Sequence, residues 1–218
     1  MTLYFAEGSP DASIAPDAVR AALSETLQNL QVATPRNRVL ALPPDFTRFH
    51  SQAGRITCDL QELLSDRLTD VMPALGTHVP MPRDQCEKMF PSVPLEKIRP
   101  HRWREDVVTI GEVDAAFVSE ATEGIYSEAW PAQLNRLVWE GGHDLIISIG
   151  QVVPHEVIGM ANYNKNLFVG TGGAQGINES HFIGAVYGME RMMGRADTPL
   201  RRILNEAQRR FCGHLPLL

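Results

Sequence analysis

Leu145-Ile146-Ile147-Ser148-Ile149, closed at once by Gly150-Gln151, decides the fold. A short apolar run rich in β-branched residues and bounded by glycine reads as a strand. Working backwards, Trp130, Leu134, Leu137 and Val138 recur at helical spacing and stop at Gly141-Gly142, a C-cap signal. Residues 107–110 and 113–118 read as strands, with Gly111-Glu112 as a tight turn between them. Residues 91–103 hold three prolines and no periodicity, so they read as an irregular excursion. Pro82 opens a helix carrying Cys86 and Met89. Before it lie a short strand at 71–75 and a helix marked by Ile56, Leu60, Leu63, Leu64 and Leu68. Val39-Leu40-Ala41-Leu42, stopped by Pro43-Pro44, reads as a buried strand. A first helix carries Val19, Leu23, Leu27 and Leu30 behind Ala15-Pro16-Asp17. Forwards, Phe182, Val186, Met189 and Met193 mark a helix, and residues 203–211 another. Strands alternating with helices predict an α/β fold with a largely parallel sheet and helices on both faces.

Composition narrows the function. The 218 residues are 44% hydrophobic and 21% charged, enough for one α/β domain with a sizeable core. A formal charge of −6 is opposite to a nucleic-acid footprint. Three scattered cysteines, Cys58, Cys86 and Cys212, fit a reducing compartment. No run approaches the roughly 20 apolar residues of a membrane span, and the first residues lack a basic leader. The expectation is a cytoplasmic protein without nucleic-acid or membrane partners.

In open parallel sheets ligands bind beyond the carboxyl ends of the strands. Three strand ends here carry unusual polar groups. After Leu42 come Asp45-Phe46-Thr47-Arg48, after Leu75 come Gly76-Thr77-His78, and after Ile149 come Gly150-Gln151 and Pro154-His155. If these strands are neighbours, an arginine and two histidines converge on one cleft. Each also has a plain reading: Asp45 capping a turn and pairing with Arg48, and the histidines as surface or packed residues. Two histidines titrating near neutrality suit an acid–base pair.

Residues 162–166, Asn-Tyr-Asn-Lys-Asn, and 170–176, Gly-Thr-Gly-Gly-Ala-Gln-Gly, are too polar and glycine-rich for a core element. Glycines there allow backbone N–H groups to approach a phosphate or cofactor, although the spacing does not fit a dinucleotide fingerprint. Lys165 lies in this loop. His181 falls in the first turn of the expected helix, where a neutral, metal-binding imidazole is tolerated.

The series Asp45-x-x-Arg48, Gly76-Thr77-His78, Pro154-His155, Lys165 and His181 resembles the signature of the nickel-dependent lactate racemase family. The resemblance runs from Asp45 to the helix after His181. It implies a nickel-pincer nucleotide, a pyridinium with two sulfur arms around nickel. Lys165 matches the tethering lysine, and His181 the protein ligand that completes a square-planar nickel. His78 and His155 match the two catalytic bases and Arg48 the residue that orients the substrate, with Asp45 in the cofactor-binding motif. The implied activity is that of an isomerase, a racemase or epimerase acting on a 2-hydroxy acid or sugar acid by reversible hydride transfer.

The chain departs from the family at Asn162-Tyr163, where a Gly-Gly pair is usual, and at Val169-Gly170, where a proline precedes the glycine. A His-Asp pair appears as His101-Arg102. These changes suggest a branch other than lactate racemase itself. The expected organisation is a single domain, 1–218, without the family's C-terminal domain. That half would then come from a partner chain or be replaced by self-association. The arginines between 191 and 210 would face that half or simply coat two solvated helices. Two alternatives remain at this stage: a non-catalytic ligand- or partner-binding remnant of the same fold, and an unrelated zinc hydrolase using His155 and His181.

Overall fold

The computed structural model describes residues 3–218. Its centre is a three-stranded parallel sheet in the order β2-β1-β5. The strands are β1 (Val39–Leu42), β2 (Leu68–Val71) and β5 (Leu145–Ser148). Alternate side chains sort to opposite faces, as extended backbone requires. Val39 and Ala41 of β1 with Leu145 and Ile147 of β5 enter one core, and Leu40, Leu42 and Ile146 enter the other. Burial on both sides explains why these strands read as continuous apolar runs.

The first face is covered by α1 (Pro16–Ala33), α2 (Ala53–Leu64) and α3 (Arg83–Met89), which contribute Leu27, Leu60, Leu64 and Met89. The second is covered by a β-ribbon and the later helices. The ribbon pairs β3 (Val107–Val113) antiparallel with β4 (Trp130–Asn135), flanked by α4 (Ala115–Ala121) and α5 (Arg136–Glu140). Past β5 come a small hairpin of β6 (Pro154–His155) and β7 (Gly159–Met160), then α6 (Ala174–Tyr187), α7 (Met189–Met192) and α8 (Pro199–Phe211). The start of α8 is fixed by its sequence. Thr198 Oγ1 accepts the Arg201 N–H at 3.1 Å, and Pro199 occupies the first turn. Leu200, Ile203, Leu204 and Ala207 then bury one stripe.

Both edges of the central sheet are occupied. Beside β2, the Arg99 N–H donates to the Val71 carbonyl at 2.8 Å. Beside β5, Leu217 bridges to Ile146, and the Leu218 N–H donates to the Ile146 carbonyl at 2.9 Å.

Several local expectations change. The second strand is Leu68–Val71, not 71–75, because α2 ends at Leu64, Ser65 turns at φ 52, and Pro73 cannot donate to a ladder. Leu68 matches the helical spacing only by coincidence. No turn forms at Gly111-Glu112. Gly111 lies within β3, and a Cβ there would meet the Phe211 ring at 2.5 Å. Of the strand expected at 113–118 only Val113 is extended, as the end of β3; the rest enters α4, started by Asp114, whose carboxylate accepts the Phe117 N–H at 2.9 Å. The helical stripe from Trp130 is β4, in which Trp130, Ala132 and Leu134 alternate inward, and only Arg136–Glu140 is helical. The stripe from Phe182 spans two helices, broken at Gly188 with φ 108, and its four apolar side chains are exposed.

Candidate active site

The C-terminal ends of β2, β1 and β5 open into one cleft, completed by the β6–β7 hairpin, the loop after it and one side of α6. Asp45, Arg48, His78, His155, Lys165 and His181 all line it. Sequence positions spread over more than half the chain are brought together because β1 lies between β2 and β5.

Beyond β1 the parallel pairing continues through Pro43 and Pro44, with the Ala74 N–H donating to the Pro43 carbonyl at 2.7 Å, and Asp45 then caps a short 3-10 turn, Phe46–Ser51. Asp45 is buried. Its Oδ1 accepts the Thr47 N–H at 3.0 Å and the Thr47 hydroxyl at 2.5 Å. Its Oδ2 meets Nδ1 of His78 at 2.5 Å. The carboxylate is therefore directed to His78, not to Arg48. Arg48 is exposed and among the described residues makes no ion pair and one side-chain hydrogen bond, a long 3.4 Å approach to Thr47 Oγ1. A guanidinium held in this way is available to a carboxylate from solution.

At the end of β2 the chain must reverse sharply to present His78. Gly76 supplies φ 57, and its N–H donates to the Gly170 carbonyl at 2.8 Å. This pins the His78 turn to the segment that follows Lys165.

His155 closes the strand end of β6. Its Nδ1 accepts the N–H groups of Val157 at 3.2 Å and Ile158 at 3.3 Å. Burial, and then the charge of Lys165, push its pKa down to about 4.

Lys165 sits after a strained turn. Asn162 and Tyr163 both adopt left-handed backbone, φ 70 and φ 56. The left-handed backbone is adopted here by two residues with side chains, at the positions where the resemblance leads one to expect a Gly-Gly pair. Asn162 is compensated by its amide, which donates to the Gly150 carbonyl at 3.1 Å. Tyr163 is mostly exposed and has no such support. After Lys165 the helix widens to a π-helix, Asn166–Gly170, a geometry common at functional sites. Asn166 Nδ2 ties this turn to β5 through Ser148 Oγ and the Ile149 carbonyl, at 3.1 and 3.2 Å. From the other side, buried Arg201 donates to Asn164 Oδ1 and the Met160 carbonyl. Arg201 thus departs from the solvated-helix reading that suits Arg202, Arg209 and Arg210, which form exposed ion pairs. Surrounding protein desolvates the Lys165 amine, and Arg48 adds repulsion, so its pKa is lowered.

His181 lies in the middle of α6, not in its first turn, because the helix already begins at Ala174. Its Nδ1 meets the Ile177 carbonyl at 2.7 Å. A carbonyl only accepts, so Nδ1 carries the proton and Nε2 keeps a lone pair for a metal.

The glycine-rich stretch serves packing. A Cβ at Gly172 would lie 1.8 Å from the Phe168 carbonyl oxygen, and one at Gly173 would lie 2.4 Å from Gln133 Oε1. The first N–H groups of α6 are taken by the same Gln133 Oε1, at 3.1 Å from both Gln175 N and Gly176 N. The stretch is therefore already satisfied by protein, contrary to the expectation of a phosphate cradle. Sequence reading noted His101 only as a departure from the family and gave it no role. It is fully buried, donates from Nε2 to the Gly172 carbonyl at 2.9 Å and accepts from Asn135 Nδ2 at 3.0 Å. These partners come from segments 34 and 71 residues away, and no local spacing marks them.

Among the described residues no group of three or more His, Cys, Asp or Glu side chains is placed to hold a metal ion. A zinc hydrolase needs three protein ligands, so that alternative lacks its ligand set. A pincer that brings three donors of its own needs one imidazole, and His181 offers it. The free Nε2 of His181 and the desolvated amine of Lys165 in one cleft fit such a group. Among the described residues no helix is long and apolar enough to cross a membrane.

Fold and cleft define a parallel α/β protein that gathers its ionisable groups at the carboxyl edge of the sheet. The sequence model of the lactate racemase N-terminal domain matches residues 6–193, and the chain belongs to that family. A crystal structure of a protein from Thermotoga maritima is similar, with 28% identity and a TM-score of 0.78, covering 94% of this chain and 49% of that one. The lactate racemase apoprotein from Thermoanaerobacterium thermosaccharolyticum has the same fold, with 18% identity and a TM-score of 0.64, covering 82% of this chain and 41% of that one. The chain thus spans about half the length of these structures or less. Comparison with curated proteins finds no match.

Proposed function

We propose that this chain is the cofactor-bearing half of an isomerase that inverts a hydroxyl-bearing carbon in a 2-hydroxy acid or sugar acid. The observation that carries the reading is the convergence of an amine, an imidazole with a free Nε2, two further imidazoles and an unpaired guanidinium in one strand-end cleft. Lys165 would tether a nickel-pincer nucleotide and His181 would ligate its metal. When bound, that group supplies a hydride acceptor and donor.

The chain's own residues supply the rest. Arg48 binds the substrate carboxylate as a planar fork and so fixes the hydroxyl-bearing carbon in the cleft. His78 holds a lone pair on Nε2, because Asp45 keeps the proton on Nδ1, and can take the hydroxyl proton. His155 adds a second imidazole from the β6 side. The left-handed turn at 162–163, Asn166 and Arg201 fix Lys165 so that its amine stays at the cleft.

The test is co-expression with enzymes that make the cofactor, followed by intact-mass and peptide-mass analysis. A covalent adduct on the Lys165 peptide with copurifying nickel is expected, together with inversion of a hydroxy acid on a chiral column. His181→Ala should lose nickel more than adduct. Stoichiometric nickel with unmodified Lys165 would overturn the tethered-cofactor reading. An adduct without turnover of any hydroxy acid would leave a binding remnant.

A further inference from the structure

Lysine is scarce in this chain, which has three, Lys88, Lys97 and Lys165. The first two have partners. Lys88 lies over the Phe46 and Phe49 rings, at 5.7 and 5.4 Å, and Lys97 donates to Gln61 Oε1 at 3.2 Å and to the Ser65 carbonyl at 3.0 Å. Lys165 differs. Among the described residues its amine makes no hydrogen bond and no ion pair, although surrounding protein desolvates it and it lines the strand-end cleft. An unpartnered amine, desolvated and repelled by a neighbouring cation, is held towards its neutral, nucleophilic form.

That neighbour is Arg48, the foremost charge acting on Lys165. Its own guanidinium is exposed and carries no ion pair among the described residues. One cavity of about 200 Å³ therefore offers both a fork for a carboxylate and a free amine. With a carboxylate on Arg48, the rest of a short acid has this cavity to occupy, and Lys165 is its one amine. An acid that uses both groups carries an electrophilic carbonyl beside its carboxylate.

We propose that, in the chain without cofactor, Lys165 condenses with a short 2-oxo acid to a Schiff base whose carboxylate rests on Arg48. This rests on the hydroxy-acid reading only in giving Arg48 a carboxylate, and it needs neither nickel nor pincer. The amine lone pair attacks the ketone carbon, and the carbonyl π pair moves to oxygen. The nitrogen loses a proton and the oxygen gains one, carried by an imidazole of the same cleft, His78 or His155. The carbon–oxygen bond then breaks, water leaves, and the carbon–nitrogen double bond forms with no change of oxidation state. Charges around the amine suit both stages. Arg48 and Arg201 oppose a charge on Lys165, while Asp45 and Glu156 favour one. A bound carboxylate cancels the Arg48 repulsion, so the imine nitrogen can hold a proton once the acid is in place.

The test takes the purified, cofactor-free chain, incubates it with pyruvate at neutral pH and reduces it with borohydride. Intact mass should rise by one pyruvic acid less an oxygen atom, and peptide mapping should place the addition on Lys165. Lys88 and Lys97 are internal controls and should be labelled about tenfold less or weaker still. Acetone has a ketone without a carboxylate and should label Lys165 about tenfold less than pyruvate, the scale of one lost charge-assisted contact. Arg48→Gln should bring pyruvate down to the acetone level. Labelling spread evenly over the three lysines, no addition at Lys165, or equal labelling by acetone would overturn the proposal. Trapping at Lys165 in a chain that never acquires a pincer would keep this site and remove the isomerase reading. A pincer adduct on Lys165 without pyruvate trapping would do the reverse.

Discussion

The Asp45 carboxylate is shared between two tasks: one oxygen meets Nδ1 of His78 at 2.5 Å, and the other holds the backbone and hydroxyl of Thr47. Turn geometry and base orientation are thus set by one buried group. Asp45→Asn should keep the cap on Thr47 but let His78 adopt either tautomer. Turnover of a hydroxy acid by loaded enzyme should fall about 10²–10⁴-fold, as expected when an imidazole loses its orienting carboxylate. The urea midpoint should move little by comparison. Unchanged kcat would detach Asp45 from the chemistry.

Lys165 should cost stability at neutral pH. Its folded pKa is lowered, chiefly by burial, so the unfolded chain binds the proton more readily. Stability should therefore rise with pH from the lowered folded value up to the ordinary lysine pKa of about 10.5. Lys165→Met removes the ammonium and should stabilise by roughly 1 kcal/mol at pH 7. That advantage should shrink as pH approaches 10. Urea unfolding of both proteins at pH 7 and 10 gives the comparison, and a gap that does not change with pH would contradict it.

His101 makes the fold acid-sensitive. Its folded pKa is about 4, lowered by burial, against an ordinary value of 6.5. The folded state therefore resists protonation longer than the unfolded state does. Stability is intact above about pH 6.5 and is lost as pH falls towards 4, by on the order of 3 kcal/mol from this residue. His101→Gln, which can still donate to the Gly172 carbonyl, should flatten the decline in that window. Denaturant midpoints at pH 7, 5.5 and 4.5 would reveal it; parallel curves for the two proteins would rule His101 out as the cause.

Tyr163 should be a removable strain. A left-handed backbone costs a side chain-bearing residue about 1–2 kcal/mol, partly offset by the entropy glycine loses on folding. Tyr163→Gly should therefore raise stability by about 0.5–1 kcal/mol in chemical denaturation. The ring is exposed and lies 5.9 Å from the Arg201 guanidinium, so little packing is lost. A destabilised variant would mean that this contact outweighs the strain.

Much of this architecture was legible in the sequence where one physical cause acted alone. The strands at 39–42 and 145–148 are buried on both faces, so their apolar runs were unambiguous. The cleft was legible because polar groups directly after such strands have few other places to go. The ribbon was misread because Trp130, Leu134 and Val138 fit helical spacing, while the alternation of Trp130, Ala132 and Leu134 was masked by a small residue and by Pro131. Buried polar scaffolding was not legible at all. His101 acts through Asn135 and Gly172, and only the folded chain puts those three together.

The occupied borders of the central sheet bear on colloidal behaviour. A three-stranded sheet with bare margins would offer unpaired N–H and C=O groups as a template for another chain. Here residues 98–99 close one margin and residues 216–218 the other. Removing Pro216, Leu217 and Leu218 would uncover the Ile146 and Ser148 N–H groups beside an apolar strand, far in function from the cleft. The damage would then appear as intermolecular strand addition and turbidity during concentration or storage, so light scattering is the property to monitor in any variant altered at this border.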